Sequence, residues 1–332
     1  MLKKIGLDGF ILALAFAVII AKIYPAAGLD YESFSLSKIT NIGVAFIFFF
    51  YGLKLNFEEI KKGLKNWKLH VLIHLTTFVL FPVIILLLKY FFAGTDYYLL
   101  WLGVFFLAAL PSTVSSSVVM VNIAHGNVPS AIFNASISSF LGIFFTPLWM
   151  NIEMQAGSSD FDMQDTLFKL ILQVLVPVIA GVVLNRFWGK WASKNKNTLK
   201  YFDQSIIVLI VYASFAKSFD QNIFSQQSVW VIIALFASML CLFGLVFFIV
   251  RYICKLLRFN QADTVTAIFC GSKKSLVHGS VMAAVLFGES TMAGLMLLPI
   301  MIYHALQLIL ASWIANYWGA KYSKESAQLP VS

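Results

Sequence analysis

The feature that most limits how this chain can fold is a recurrence of uncharged apolar stretches long enough to cross a bilayer. Ten occur, at roughly 8–27, 36–55, 69–92, 97–123, 127–151, 166–185, 202–219, 228–250, 261–287 and 291–317. An α-helix needs about 20 residues to cross a hydrocarbon core of about 30 Å. Apolar residues surround each stretch instead of forming one stripe, the pattern of helices that face lipid and neighbouring helices together. Only 12% of the 332 residues are charged and 60% are hydrophobic, too little charge to cover a soluble surface. The expectation is an all-α polytopic membrane protein with ten transmembrane helices, loops and a short tail from about 318. Met1-Leu2-Lys3-Lys4 has the charged start of a signal peptide, but no small-residue cleavage site follows, so the first stretch reads as an uncleaved helix.

Basic residues set the orientation, because cytoplasmic loops collect Lys and Arg. With both termini inside, the inside segments hold Lys3, Lys4, Lys54, Lys61, Lys62, Lys65, Lys68, Arg186, Lys190, Lys194, Lys196, Lys200, Arg251, Lys255, Arg258, Lys321 and Lys324, which is 17 of the 24 basic residues. The outside ends hold Lys22, Lys38, Lys89, Lys169 and Lys217. The longest outside loop, 152–165, carries Glu153, Asp160, Asp162 and Asp165 and no cation. The net charge of +9 is thus an orientation signal with an attraction for anionic lipid headgroups, and no nucleic-acid partner is expected. The expected location is a plasma or cytoplasmic membrane, crossed many times, with both ends cytoplasmic.

Five stretches precede that loop and five follow. An odd number per half places the halves in opposite orientations, the arithmetic of an inverted repeat. The repeats are expected at 1–157 and 158–332. The fourth stretch of each half is interrupted: by Leu110-Pro111-Ser112-Thr113-Val114-Ser115-Ser116-Ser117 in the first, and by Cys270-Gly271-Ser272-Lys273-Lys274-Ser275 in the second. Both runs are small, hydroxylated and poor in helix formers, and Pro111 removes a backbone donor. Helix breaks are expected near 111–115 and 271–274. Irregular backbone at membrane depth survives where it lines a wet cavity or is buried in protein, and paired interruptions point to a transporter binding site.

Lys273 and Lys274 sit at the centre of a stretch that would run about 40 Å as a helix, too far from either interface for snorkelling. A central lysine costs at least about 2.5–3.5 kcal/mol on insertion scales. No stretch offers a clearly mid-membrane carboxylate; Glu289, Asp203 and Asp263 are near the ends. A small anionic solute is therefore the expected partner of the lysines, beside membrane lipid.

Other chemistry is weakly signalled. His70 and His74 have the i, i+4 spacing of a metal pair but no third ligand nearby, so core or interfacial histidines are expected and the metal assignment stays unknown. Cys241, Cys254 and Cys270 form no CxxC pair and no disulfide framework. No nucleophile and base are legible as a set, so an enzyme is not expected.

The run 110–119, with Gly126-Asn127, Ala131-Ile132-Phe133-Asn134-Ala135, Thr146-Pro147 and Phe269-Cys270-Gly271-Ser272-Lys273-Lys274-Ser275-Leu276, resembles the bile acid:sodium symporter superfamily, in its SBF-like branch. The resemblance covers essentially the whole chain. It implies a panel part from the first two helices of each repeat, approximately 8–55 and 166–219. It also implies a core part, approximately 69–151 and 228–317, in which the fourth and ninth helices are unwound and cross. Such proteins bind sodium behind the crossover and carry organic anions in the cleft between the parts. By motif position, the carboxylate and amide that bind sodium in such relatives are replaced here by Phe269 and Lys273, and the amide's neutral neighbour by Lys274. Other ligand positions fall on Ser116, Ser117, Ala131, Ala135 and Thr77. The loss of the carboxylate weighs against sodium coupling of the family kind.

The expected function is a secondary transporter of an organic anion working by alternating access. The alternative is a membrane regulator or channel-like protein that modulates ion homeostasis, since the branch contains a vertebrate member associated with cellular calcium. No cofactor is expected; sodium or a proton is the candidate coupling ion. The candidate substrate or ion-binding residues are Ser112, Thr113, Ser116, Ser117, Asn134, Ser138, Ser272, Lys273, Lys274 and Ser275, with Thr77, Ser130 and His278 as further candidates. Lys273 is expected to take the place where a relative binds sodium, its ammonium held by oxygens of Ser116, Ser117 or Asn134.

Overall fold

The computed structural model describes residues 9–30, 35–54, 66–157, 168, 171–223, 228–287 and 292–328. Among them every regular element is helical. In chain order the helices of nine residues or more are α1 (Gly9–Ile23), α2 (Leu36–Leu53), α3 (Trp67–Leu87), α4 (Tyr98–Ala109), α5 (Ser115–Ile123), α6 (Val128–Gly157), α7 (Ile171–Lys194), α8 (Lys196–Asp220), α9 (Val229–Leu256), α10 (Gln261–Gly271), α11 (Leu276–Phe287) and α12 (Ala293–Gln328). Seven of the described helices are long and apolar enough to cross a membrane: α2, α3, α6, α7, α8, α9 and α12. Phe16, Leu87, Trp230 and Phe248 are among the large apolar side chains left exposed, as on helices whose solvent is lipid. The chain is an integral membrane protein. The acidic residues Asp160, Asp162, Asp165 and Glu289 lie outside the described residues.

The fourth and ninth apolar stretches are each two helices. α4 ends at Ala109 and α5 begins at Ser115; α10 ends at Gly271 and α11 begins at Leu276. With 12, 9, 11 and 12 residues, each piece rises only about 14–18 Å, near half the hydrocarbon thickness. The breaks expected at Pro111 and at the Gly-Ser-Lys-Lys run are present. Elsewhere the helices extend past the apolar stretches into polar ends, α8 starting at Lys196 and α12 running to Gln328.

Two long helices carry a wider π turn just before a proline: Thr76–Leu80 ahead of Pro82 in α3, and Ile171–Leu175 ahead of Pro177 in α7. The cause in α3 is visible in the ladder. The N–H of Phe81 reaches back to Thr76 O and Pro82 has no N–H to give, so the carbonyls of Thr77 and Phe78 need partners from outside the helix. The indole Nε1 of Trp149 donates to Phe78 O at 2.8 Å.

Packing pairs α1 with α8 and α2 with α7. The second pair is set by glycines, since a Cβ on Gly52 would collide with Val178 O and one on Gly181 with Phe49 O. α3, α4, α5, α6, α10 and α12 gather round the two breaks.

Candidate functional site

The two breaks close on each other. Where the carbonyls of the interrupted helix ends go can be followed atom by atom, as buried backbone demands. At the end of α4, Leu107 O accepts from Leu110 N at 3.2 Å, Ala109 O from Thr146 Oγ1 at 2.9 Å and Pro111 O from Ser275 N at 2.9 Å. Ala108 O and Leu110 O accept from Lys274 Nζ at 2.6 and 2.8 Å. At the end of α10, Ile268 O accepts from Ser272 N at 3.0 Å and Ser272 Oγ at 2.7 Å. Phe269 O accepts from Ser117 Oγ at 3.1 Å, and Cys270 O from Ser112 Oγ at 2.6 Å. Each break supplies hydroxyl or ammonium donors to the other's carbonyls, which is why both are rich in Ser and Lys.

The segment 272–275 is further tied to α12. Tyr303 donates its hydroxyl to Ser272 O at 2.7 Å. Gln307 makes a two-way clasp on Lys274, accepting from its N–H and donating to its carbonyl, both at 2.7 Å. Ser275 Oγ caps α11 by accepting from His278 N at 3.3 Å and lies 3.1 Å from His278 Nδ1. On the α6 side, Ser138 Oγ accepts from Ser112 N at 2.9 Å. Asn134 lies one turn earlier on the same face. Its Nδ2 donates to Ser130 O at 2.7 Å, while its Oδ1 is buried with no hydrogen-bond partner among the described residues.

The two lysines are both 0% exposed and are held differently. Lys274 Nζ donates to Thr77 O (2.7 Å), Ala108 O and Leu110 O, and sits 4.2 Å from the centroid of the Phe81 ring. Among the described residues, Lys273 Nζ has one hydrogen-bond partner, Ser116 Oγ, at 3.0 Å. Ser116 Oγ in turn donates to Thr113 Oγ1 at 2.9 Å, and Thr113 Oγ1 lies 2.7 Å from Ser117 Oγ. Among the described residues, the ion pairs Lys54–Asp203, Lys89–Glu153 and Lys217–Asp30 lie away from these lysines, and no carboxylate pairs with either. Of the oxygens expected round Lys273, Ser116 Oγ reaches it, while a cage of three oxygens lies round Lys274. The ligands of that cage are main-chain carbonyls, with Thr77 contributing its backbone and not its hydroxyl, which bonds Ile73 O at 2.8 Å.

The hydroxyl cluster opens outward at the start of α5. Val114 and Ser115 are exposed and Ser116 is half-buried, although they lie midway along an interrupted span. The structure thus brings together Ser112, Thr113, Ser116, Ser117, Ser138, Ser272, Lys273, Lys274 and Ser275, with Thr77 behind them. Ser130 and Asn134 follow along α6. His278 sits at the rim, its ring edge-on to Tyr51 of α2 at 5.7 Å, and Tyr51 OH donates to Ser136 O at 2.7 Å. Sequence reading did not single out Gln307, Tyr303 or Phe81, and Thr146 entered it only as part of the Thr146-Pro147 of the resemblance. A Gln within the apolar run of α12 is itself a signal, because an amide at that depth needs a partner. His70 packs its ring 4.2 Å from Phe133 and His74 stacks on Phe78; among the described residues no group of three His, Cys, Asp or Glu could hold a metal ion.

Near the turn 124–127, Asp263 accepts from the side-chain amides of Asn66, Asn127 and Asn260 at 2.8, 2.8 and 3.0 Å, locking α10 to the ends of α3 and α6.

Comparison with known proteins fits this arrangement. A protein of Pseudomonas aeruginosa named "Uncharacterized protein PA2026" is 38% identical over 97% of this chain and 96% of its own length. "Putative symporter YfeH" of Escherichia coli K12 is 34% identical over 97% and 95%. "Sodium/bile acid cotransporter 7" of Danio rerio is 30% identical over 94% of each. Residues 8–320 match the SBF-like CPA transporter family, so nearly the whole of this chain, both broken helices included, belongs to that family of membrane transport proteins.

Proposed function

We propose that the protein is a secondary transporter that moves a small organic anion across the membrane by alternating access, and that Lys273 receives the anion. The observation that carries this reading is a fully buried lysine with one hydroxyl partner and, among the described residues, no carboxylate, set where two broken helices meet. A buried cation without an anion is unfavourable by several kcal/mol, and an anionic solute supplies the missing charge. The start of α5 assists: its exposed first residues offer unpaired N–H groups and the positive end of the helix dipole. The neighbouring hydroxyls of Thr113, Ser116 and Ser117, with Asn134 along α6, add neutral donors and acceptors. The relatives named as a symporter and as a sodium/bile acid cotransporter support transport of a solute.

In this reading the chain crosses the membrane ten times as two inverted five-helix repeats, 1–157 and 158–332, with both ends cytoplasmic. The pairing of α1 with α8 and α2 with α7 supports it, since a two-fold relation that matches α1 to α7 and α2 to α8 carries one of those pairs onto the other. These four helices form the panel, and the helices round the breaks form the core that moves against it. The Tyr51 contacts to Ser136 and His278 lie on that sliding surface.

The test is uptake into vesicles reconstituted with purified protein, over a set of bile acids and small carboxylates. Saturable uptake of at least one anion is expected. Lys273→Gln removes one charge-assisted contact of about 1.5–3 kcal/mol, so transport at subsaturating anion should fall about 10- to 150-fold. No saturable flux for any anion, or parental flux in Lys273→Gln, overturns the proposal. A regulator of ion entry would show the first of these outcomes.

A further inference from the structure

Lys274 is bound as an ion is bound. Its nitrogen has three partners, Thr77 O, Ala108 O and Leu110 O, at 2.6–2.8 Å. All three are carbonyls, which only accept. Three acceptors at these distances require three hydrogens on the nitrogen, so the geometry is that of an ammonium and not of a neutral amine, which has two. The fourth side is the face of Phe81 at 4.2 Å, where a cation gains from the ring quadrupole.

The carbonyls are also prepared for a cation before the lysine is considered. Thr77 O is released by the π turn and by Pro82, which has no N–H. Ala108 O lies in the last turn of α4 and Leu110 O at its extended C-cap, where a helix leaves its carbonyls unpaired and its dipole negative. Converging main-chain carbonyls inside a membrane protein are the ligand set with which proteins replace the water round a monovalent cation. The ligands come from two elements, α3 and α4, and the occupant is attached to a third, the 272–275 segment that Gln307 clasps.

We infer that this is a monovalent-cation site which the chain fills with its own Lys274 ammonium, so that the crossing of the two broken helices is held closed without a dissociable cation. The inference bears on the proposed transporter by naming what fixes its coupling: the crossing needs no sodium to assemble, and sodium is not the ion that organises it. The adjacent lysines then divide the work, Lys274 as resident cation and Lys273 as the charge offered to the solute.

The test reads thermal stability of purified protein and does not depend on flux, so it fails or succeeds separately from the transport reading. Salts are compared at fixed ionic strength: sodium, potassium, ammonium and methylammonium chlorides against choline chloride. The parent should melt at the same temperature in all of them. Lys274→Ala keeps the carbonyls and opens space beside them; it should melt well below the parent in choline and recover saturably with at least one small cation. Lys274→Met removes the same charge but fills the space, and should melt low in every salt. Rescue of Lys274→Ala but not of Lys274→Met supports the inference. No rescue of Lys274→Ala, equal rescue of both variants, or a saturable sodium-specific rise in the parent overturns it. If Lys274→Ala is recovered folded only when a small cation is present during extraction, that is rescue. If it is recovered in no salt, the parent's own response decides.

Discussion

Replacing Gln307 with Leu tests whether the unwound 272–275 segment is held by side chains in place of a helix ladder. Gln307 is fully buried and makes two 2.7 Å bonds to the main chain of Lys274, one to its N–H and one to its carbonyl. Leu has nearly the same volume and no polar atom, so both backbone groups are left buried and unpaired. Side-chain hydrogen bonds between membrane helices average only about 0.6 kcal/mol, because the unfolded chain in the bilayer finds other partners. That discount does not apply here. In a separated helix, Lys274 N–H and carbonyl would be paired within the ladder, so the native state alone carries the loss. Each orphaned group costs about 1–3 kcal/mol, giving about 2–6 kcal/mol for the pair. At about 2 °C per kcal/mol for a chain of this size, the melting temperature should fall by about 4–12 °C. Tyr303→Phe is the internal gauge: it orphans one carbonyl, Ser272 O, and should cost about half as much. Melting is followed by the loss of the monodisperse fraction on size-exclusion chromatography after heating. A Gln307→Leu protein that melts with the parent, or Tyr303→Phe costing more than Gln307→Leu, would refute the accounting.

Two further outcomes are expected at the membrane surfaces. Burial raises the Asp30 carboxyl, but the hydroxyl and N–H of Ser37, the hydroxyl of Ser35 and the Lys217 ammonium outweigh it and hold the group well below the ordinary carboxylate range. Its stabilisation is complete above the unfolded value of about 3.9 and is lost as the pH falls towards the folded one. The melting temperature should therefore drop on that acid limb and drop less in Asp30→Asn; identical limbs would count against the pairing. For orientation, Ser158→Cys should react with an impermeant thiol reagent from outside intact cells, and Lys194→Cys only after the membrane is opened. Labelling of both from one side would refute the inverted arrangement.

Much of the frame was legible because lipid allows few solutions. Apolar stretches of about 20 residues mark helices in lipid, and Pro111 and Lys273–Lys274 in mid-span each carry a cost that a buried, interrupted helix relieves. The assignment within the pair was not legible. The rule that neighbours point about 100° apart holds for a regular helix, and 272–275 is not one, so side-chain directions there follow from the clasp by Gln307 and the hydroxyl of Tyr303. The partners of Lys274 are main-chain carbonyls, which every residue carries and no sequence pattern marks. Pro82 was the available clue: a proline within an apolar helix leaves an acceptor free, and a lysine elsewhere in the membrane needs one.

The π turn in α3 makes local regularity and global order pull in opposite directions. It holds one residue more than the ladder needs, so the parts of α3 before and after it are out of phase by about 100°. A chain shortened by one residue between 76 and 80, with Pro82 exchanged for an ordinary helix former, would give a straighter and intrinsically better helix. It would also recapture the carbonyls of Thr77 and Phe78, strand the ammonium of Lys274 and the indole of Trp149, and turn every later residue of α3 to a new bearing. The flaw in the one helix is thus the consistency of the whole: the fold is less frustrated because one of its members is not ideal.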